Sequence, residues 1–232
     1  SGVKYIDKYY NPQITLDAWR YPNDEGTALA ATMRVQLAEG NNASGFTAKM
    51  YYAQDAKADK AAAKALKAEI KEANKTLKKA IQILTSDGGD INEAQTYINQ
   101  ALENKHTVSN PDTWNTAGQI QAKFYDRENE KMYLKQPYNE DLFFDALSKM
   151  YTYFNKCDEL ESQPNAKGKV VRKYRDANAE RLYGIRPNLV SGGVTYFNKD
   201  DNQKAYDLFS QYIESANYPM LAKYNIAETD SF

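Results

Sequence analysis

Two side chains in this sequence could move a proton or attack a carbon centre near neutral pH: the single histidine, His106, and the single cysteine, Cys157. His106 lies in the polar segment 104–111, and no Cys or second His stands near it to complete a zinc site. Cys157 follows Tyr153 and Phe154 in an apolar segment, which predicts a buried thiol. Because no Ser or Cys has a recognisable nucleophile context, we expect no catalytic residues, no metal, no cofactor and no enzyme.

Charge gives the chain no general attraction to a polyanion. Lys and Arg number 30 against 31 Asp and Glu, a net charge of -1, so we expect no nucleic-acid partner. No apolar run approaches the roughly 18 residues of a membrane span. A basic run between residues 167 and 186 is interpreted as a solvated helix face or as a surface that steers an acidic partner. Its cations are Lys167, Lys169, Arg172, Lys173, Arg175, Arg181 and Arg186.

Aromatic side chains concentrate between residues 133 and 154. We expect most of them to form core between helices, with hydroxyls that need hydrogen-bond partners. Some could instead line a ligand pocket, since aromatic faces suit sugar rings, and carbohydrate or small-ligand binding is therefore an alternative function. The cluster consists of Tyr133, Tyr138, Phe143, Phe144, Tyr151, Tyr153 and Phe154.

The elements that must position these residues read as helices. Residues 1–25 are interpreted as an irregular arm, followed by short helices at 27–39 and from about residue 43. Further helices are predicted at 56–85, 91–104, 112–135, 141–161 and 203–215, and at 170–197 with an interruption at Gly184 and Pro187. Alternation of apolar and polar residues is almost absent, so the predicted fold class is all-α.

The helix at 56–85 carries an apolar stripe with alternating spacings of three and four residues. A coiled-coil strand and a helix packed antiparallel on its neighbour both fit this stripe, and its length of about three heptads favours the second. The stripe comprises Ala63, Leu66, Ile70, Ala73, Leu77, Ala80 and Leu84.

A small–aromatic signature recurs along the chain. Gly193-x-x-Tyr196 is followed by Ala205-x-x-x-Phe209, with Leu189 at the preceding large apolar position. The part of the signature in the second helix has two further instances, so we predict helix-turn-helix units at about 56–110, 111–165 and 166–219, and the start of another at 220–232. Those instances are Ala94-x-x-x-Ile98-x-x-Ala101 and Met150-x-x-x-Phe154-x-x-Cys157.

These motifs resemble the tetratricopeptide repeat (TPR) family, and in particular exported repeat proteins of Bacteroidetes. The segments that carry this likeness are Lys169-Val-Val-Arg-Lys-Tyr-Arg175 and Tyr196-Phe-Asn-Lys-Asp200 through Ala205-Tyr-Asp-Leu-Phe209. Gly192 and Tyr212 depart from the family pattern. The resemblance implies a right-handed helix-turn-helix solenoid at residues 56–232, after an N-terminal arm with short helices at 1–55. It also implies an exported or periplasmic location.

The resemblance further implies a concave groove that binds a protein or peptide, so the expected function is that of an interaction scaffold. The predicted groove positions are Lys79 and Ile83 in the first unit, Asn115 and Gln119 in the second, and Val190, Val194 and Phe197 in the third. Because Ile83, Thr116 and Ser191 stand where the family clamps a terminal carboxylate, we expect no specificity for a free C-terminal acidic peptide.

Overall fold

Helices dominate the structure, a computed structural model that describes residues 13–19, 31–36, 42–165 and 168–229. The chain divides into two compact units, Ser1–Lys71 and Glu72–Phe232. The all-α expectation is confirmed for the described residues from Asn42 onward. The helices are α1 (Asn42–Thr85), α2 (Ile91–Glu103), α3 (Pro111–Tyr133), α4 (Glu140–Glu161), α5 (Arg175–Ile185), α6 (Pro187–Phe197), α7 (Asn202–Ser215) and α8 (Ile226–Thr229), with a 3₁₀ turn at Pro219–Tyr224.

The first unit contains an antiparallel hairpin where the sequence predicted an irregular arm and a helix at 27–39. Strand β1 (Gln13–Trp19) pairs with β2 (Ala31–Gln36), and the register sets Ile14 opposite Val35 and Leu16 opposite Met33. The helix was predicted because apolar residues recur four positions apart in this segment. The prediction was wrong because residues 31–36 also alternate with a period of two, which is the pattern of a strand. The separate short helix expected near residue 43 is instead the beginning of α1, which runs unbroken for 44 residues.

In the second unit, α1 packs against the neighbouring helix α2. Ala73, Leu77 and Ala80 of the predicted stripe are buried there. Lys79 forms an ion pair of 3.3 Å with Glu93 of α2 and donates a hydrogen bond to the Tyr97 hydroxyl. Since the connection at 86–90 is short, these contacts set α2 antiparallel to α1, as the favoured interpretation of the stripe requires.

Asx side chains fix where the helices begin. Four helices have an Asp or Asn N-cap whose side chain accepts a hydrogen bond from a backbone N–H of the first turn. These caps are Asp90, Asn110, Asn139 and Asp201. The predicted breaks at 86–90, 136–140 and 198–202 are confirmed. The predicted helix at 170–197 is shorter, because α5 starts only at Arg175, and its interruption falls at Arg186.

The core includes the recurring signature of the second helices. Ala94, Ile98 and Ala101 of α2 are fully buried, and so are the corresponding side chains of α4. The expected burial of Cys157 is thereby confirmed, and burial raises the pKa of its thiol to about 12. In α7, Ala205 is buried, while Phe209 is partly buried against the same core.

Glycines allow the closest helix crossings. A Cβ atom on Gly193 of α6 would lie 2.5 Å from the ring of Phe209, so α6 and α7 cross closely at this glycine. A Cβ atom on Gly118 of α3 would lie 2.2 Å from the ring of Phe154. Phe154 and Phe209 hold equivalent places in the recurring signature. The same glycine–phenylalanine contact therefore occurs once between α3 and α4 and once between α6 and α7.

The pair α3–α4 stacks on α5, α6 and α7 with each helix parallel to its counterpart. Three hydrogen bonds from α3 to Tyr174, α5 and α6 join residues 62 or 63 apart, namely Asp112 with Tyr174, Asn115 with Asn178, and Tyr125 with Asn188. Those between α4 and α7 join residues 63 apart, namely Asp141 with Lys204 and Ser148 with Gln211. A constant separation arises only where two helices ascend together.

Buried carboxylates hold the connections between these helices. Glu128 of α3 accepts a hydrogen bond of 2.8 Å from the backbone N–H of Asn139, the N-cap of α4. Glu161 of α4 accepts hydrogen bonds from the backbone N–H groups of Lys173 and Tyr174 at 2.9 and 3.1 Å. Both glutamates are almost completely buried. Each carboxylate is therefore hydrogen-bonded to backbone N–H groups of the segment that follows its helix, in place of water.

We expect Gly118→Ala to destabilise the protein by roughly 1–3 kcal/mol, because the new methyl group would overlap the buried ring of Phe154. Gly184→Ala is the matched control, since no atom lies within 4 Å of its added Cβ. It should not destabilise the protein, because the free energy of a helix is about 1 kcal/mol more favourable with alanine than with glycine. Denaturant unfolding measures both. Equal stability of Gly118→Ala and the wild type would contradict the close crossing.

Glu128 should make stability depend on pH. Burial alone would raise the pKa of its carboxyl, but the Asn139 N–H, Lys131 and Arg127 outweigh burial and lower it below the ordinary value of 4.5. The folded state therefore holds the proton less tightly than the unfolded state, and this stabilisation is complete above pH 4.5 and lost as the pH falls through the lowered value.

Glu128→Gln should accordingly cost about 1–3 kcal/mol at pH 7, and its deficit should narrow as the solution is acidified. Denaturant unfolding at a series of pH values measures the deficit, with the exposed Glu130→Gln as control. A deficit that stays constant down to pH 3 would show that the charge of Glu128 is not the stabilising feature.

Candidate binding groove

A cavity of about 430 Å³ lies between α1, α3 and the residues that precede α5. We call it the α1–α3 groove. Three successive parts of the second unit contribute to it, each from the first helix of a pair or the segment leading into that helix. Its lining consists of Ile81, Leu84, Thr85, Asp112, Asn115, Thr116, Gln119, Lys123, Lys173 and Tyr174.

The α3 side of the groove presents amides. Asn115 and Gln119 are one helical turn apart and both are partly exposed. The Oδ1 atom of Asn115 accepts a hydrogen bond of 3.0 Å from Nδ2 of Asn178 on α5, which fixes the direction of this amide. Lys123 follows one turn later and is exposed. The α3 side can therefore donate and accept hydrogen bonds at successive turns.

The α1 side is mostly apolar. Ile81 and Leu84 are partly buried and pack against the core, while Thr85 ends the helix. The hydroxyl of Thr85 is bonded to the carbonyl oxygen of Ile81 at 2.9 Å, so it is satisfied within its own helix. The groove thus combines one apolar wall with one amide wall.

The rim of the groove is anchored. Tyr174 donates its hydroxyl to Oδ1 of Asp112 at 2.6 Å, and Nζ of Lys173 lies 3.7 Å from the same carboxylate oxygen. Burial and the hydrogen bond to Asp112 raise the pKa of Tyr174, so its hydroxyl remains protonated. Arg175 binds the buried carboxylate of Asp158 at 2.5 and 2.8 Å. Together with Glu161, these contacts hold residues 173–175 in place.

The structure brings together two of the predicted groove residues, Asn115 and Gln119. Lys79 turns to Glu93 and Tyr97 of α2, and neither it nor Ile83 lines the α1–α3 groove. On α1, Ile81 and Leu84 occupy that wall.

The predicted apolar strip of the third unit lies outside this groove. Val190 is partly buried, whereas Val194 and Phe197 have 48% and 62% of their surface exposed. None of the three lines the cavity. They form a separate apolar face on α6.

Sequence reasoning missed Asp112, Lys173 and Tyr174 as groove residues. The N-cap at Asn110 and Pro111 could have placed Asp112 in the first turn of α3. No local signal marked Lys173 and Tyr174, because their position depends on Glu161, which is twelve or more residues away.

The basic run is solvated only in part: Lys169, Arg172 and Lys173 are exposed, whereas the three arginines that follow join other helices. Arg175 pairs with Asp158, and Arg181 pairs with Asp126. Arg186 is buried, and its guanidinium donates to Oγ of Ser215 at 3.0 Å and to the carbonyl oxygen of Tyr212 at 2.8 Å. Three of the cations therefore join α5 and the α5–α6 junction to other helices, while Lys167 lies outside the described residues.

The aromatic cluster is mainly core, as expected. Phe143, Phe144, Tyr151 and Phe154 are buried, and the hydroxyl of Tyr151 donates to the carbonyl oxygen of Leu182 at 2.6 Å. Tyr133 is the opposite extreme, with 84% of its surface exposed at the end of α3. The packing therefore does not favour a ligand pocket lined by this cluster.

Comparisons with protein-family models, with curated proteins and with solved structures find no match to this chain. Within the described ranges, no three His, Cys, Asp or Glu side chains are grouped so as to hold a metal ion. None of the helices in that part of the chain combines the length and apolar character needed to cross a bilayer.

Proposed function

We propose that this protein is a TPR-like helical-repeat scaffold that binds another protein or a peptide in the α1–α3 groove. The observation that carries the proposal is the composition of that groove, an apolar wall from Ile81 and Leu84 opposite an amide wall from Asn115 and Gln119. We further propose that the stacked helix pairs form a right-handed solenoid, and that the protein acts by binding rather than by catalysis.

An extended peptide suits these two walls. Its backbone presents N–H and C=O groups at regular intervals, which amide side chains on successive helical turns can satisfy. A hydrophobic side chain of the peptide would pack against Ile81 and Leu84 and remove apolar surface from water. Because Asn115 is already fixed by Asn178, binding would cost little side-chain entropy at that position.

The rim sets a preference for the charge of the peptide. Lys123 and Lys173 line the groove, and the one carboxylate beside them, Asp112, accepts a hydrogen bond from Tyr174. We therefore favour an internal peptide segment that carries an acidic residue beside its hydrophobic anchor. The groove lacks a cluster of cations that would single out a free C-terminal carboxylate.

The test selects peptides from a random displayed library on the full chain and measures their affinity by fluorescence anisotropy. In the variant Gln119→Ala/Lys123→Ala, affinity should fall by about tenfold or more, because both side chains face the bound segment. Lys78→Ala/Gln82→Ala is the matched control, an exposed pair with the same spacing on α1 and outside the groove. All three proteins should melt at similar temperatures, since the altered side chains are not core.

Two outcomes would overturn the proposal: selection of no peptide, or equal affinity in both double variants. Val194→Asp separates the groove from the apolar face of α6. If Val194→Asp abolishes binding while Gln119→Ala/Lys123→Ala does not, recognition lies on α6 and not in the α1–α3 groove.

A further inference from the structure

A second groove runs between α4 and α7, which are joined by the hydrogen bond of 3.0 Å from Nε2 of Gln211 to the carbonyl oxygen of Ser148. It consists of two adjoining cavities of about 670 and about 530 Å³ that share Ser148 and Asp207. We call it the α4–α7 groove. Each cavity is larger than the α1–α3 groove and falls within the size range of small-molecule sites.

Three aromatic side chains from distant parts of the chain line the larger cavity: Trp114, Tyr206 and Tyr218. Trp114 is fixed, since its Nε1 donates to the carbonyl oxygen of Val108 at 2.6 Å and its ring meets Tyr153 edge-on at 5.9 Å. Tyr206 leaves 68% of its surface exposed. One aromatic ring of the cavity is thus held in position, and a second is open to solvent.

Polar groups suited to hydroxyl ligands lie among these rings. Asn155, Ser210 and Gln211 line the same cavity, and Oε1 of Gln211 is buried without a hydrogen-bond partner in the described part of the chain. Glu214 also lines the cavity and forms no ion pair with a described residue. Amides, a hydroxyl and a carboxylate offer both donors and acceptors within one cavity.

The charges of the groove are largely neutralised by the protein. Three of the five acidic side chains that line it have a lysine within 2.7–3.1 Å, which leaves Asp207 and Glu214 as the carboxylates without a lysine partner among the described residues. These pairs are Asp145 with Lys149, Glu159 with Lys156, and Asp141 with Lys204. Asp207 accepts a hydrogen bond of 2.8 Å from Gln203.

We propose that the α4–α7 groove binds a neutral oligosaccharide. Sugar rings have an apolar face that can stack on an aromatic ring and a rim of hydroxyls that pair with amides and carboxylates. Trp114 and Tyr206 supply the aromatic surface, and Gln211 and Glu214 supply polar partners beside them. Two adjoining cavities fit a ligand of more than one ring. This site is separate from the peptide groove and does not depend on it.

The experiment titrates the full chain with neutral maltohexaose, cellohexaose and xylohexaose by isothermal calorimetry. At least one of them should bind, and Tyr206→Ala should weaken that binding by about tenfold or more through loss of the stacking surface. Tyr133→Ala is the matched control, because Tyr133 is also a highly exposed tyrosine but lies outside the groove. Glu214→Gln should weaken binding without changing the melting temperature.

Binding that is the same in Tyr206→Ala and Tyr133→Ala would overturn this site, and so would the absence of binding to all three sugars. An oligolysine peptide provides the competing result. If it binds in the groove and no sugar does, the groove recognises a basic protein segment instead. The variant Gln119→Ala/Lys123→Ala should bind sugar like the wild type, which keeps this test independent of the peptide groove.

Discussion

The C-terminal end of α4 holds two buried carboxylates whose partners all lie on the returning chain. Glu161 accepts the backbone N–H groups of Lys173 and Tyr174, and Asp158 binds the guanidinium of Arg175. A buried carboxylate without such partners would cost several kcal/mol. The chain can satisfy both carboxylates only by bringing residues 173–175 to this point, so this interaction determines where the third set of helices begins.

Both grooves follow from that starting point. With Arg175 fixed, α5 rises beside α3, Asn178 reaches Asn115, and Tyr174 closes the rim of the α1–α3 groove at Asp112. The same placement also sets the positions of α6 and α7, so that Gln211 of α7 donates a hydrogen bond to the carbonyl oxygen of Ser148 on α4. One anchored segment therefore positions residues on two different surfaces, so a shift of α5 would alter both grooves together.

Most of the helices from α2 to α7 could be predicted because their ends depend on nearby residues. Asp90, Asn110 and Asn139 cap helices through side chains a few residues from the N–H groups that they satisfy. The crossing at Gly193 was also predictable, since small and aromatic residues recur at fixed spacing. In the second unit, local signals were therefore sufficient for most helix boundaries.

What the sequence could not predict depends on residues far apart. Residues 170–174 have helix-compatible types, yet hydrogen bonds to Glu161 hold Lys173 and Tyr174 outside the helix. Ile81 and Leu84 face the α1–α3 groove because of the way α1 is rotated about its own axis. A stripe of apolar residues does not fix that rotation closely enough to say which residues of one turn line the groove. Trp114, Tyr206 and Tyr218 share one cavity only after folding, so no local motif could join them.

Amide hydrogen exchange at Lys173 and Tyr174 tests most directly whether Glu161 anchors the returning chain. Hydrogen bonds to a charged group contribute about 1.5–3 kcal/mol, so Glu161→Gln should speed exchange at these two amides by roughly 10- to 100-fold. Glu159→Gln, an exposed neighbour on α4, should leave them unchanged. If both amides exchange at the same rate in Glu161→Gln as in the wild type, the carboxylate does not hold this segment, and the account of how both grooves are positioned is contradicted.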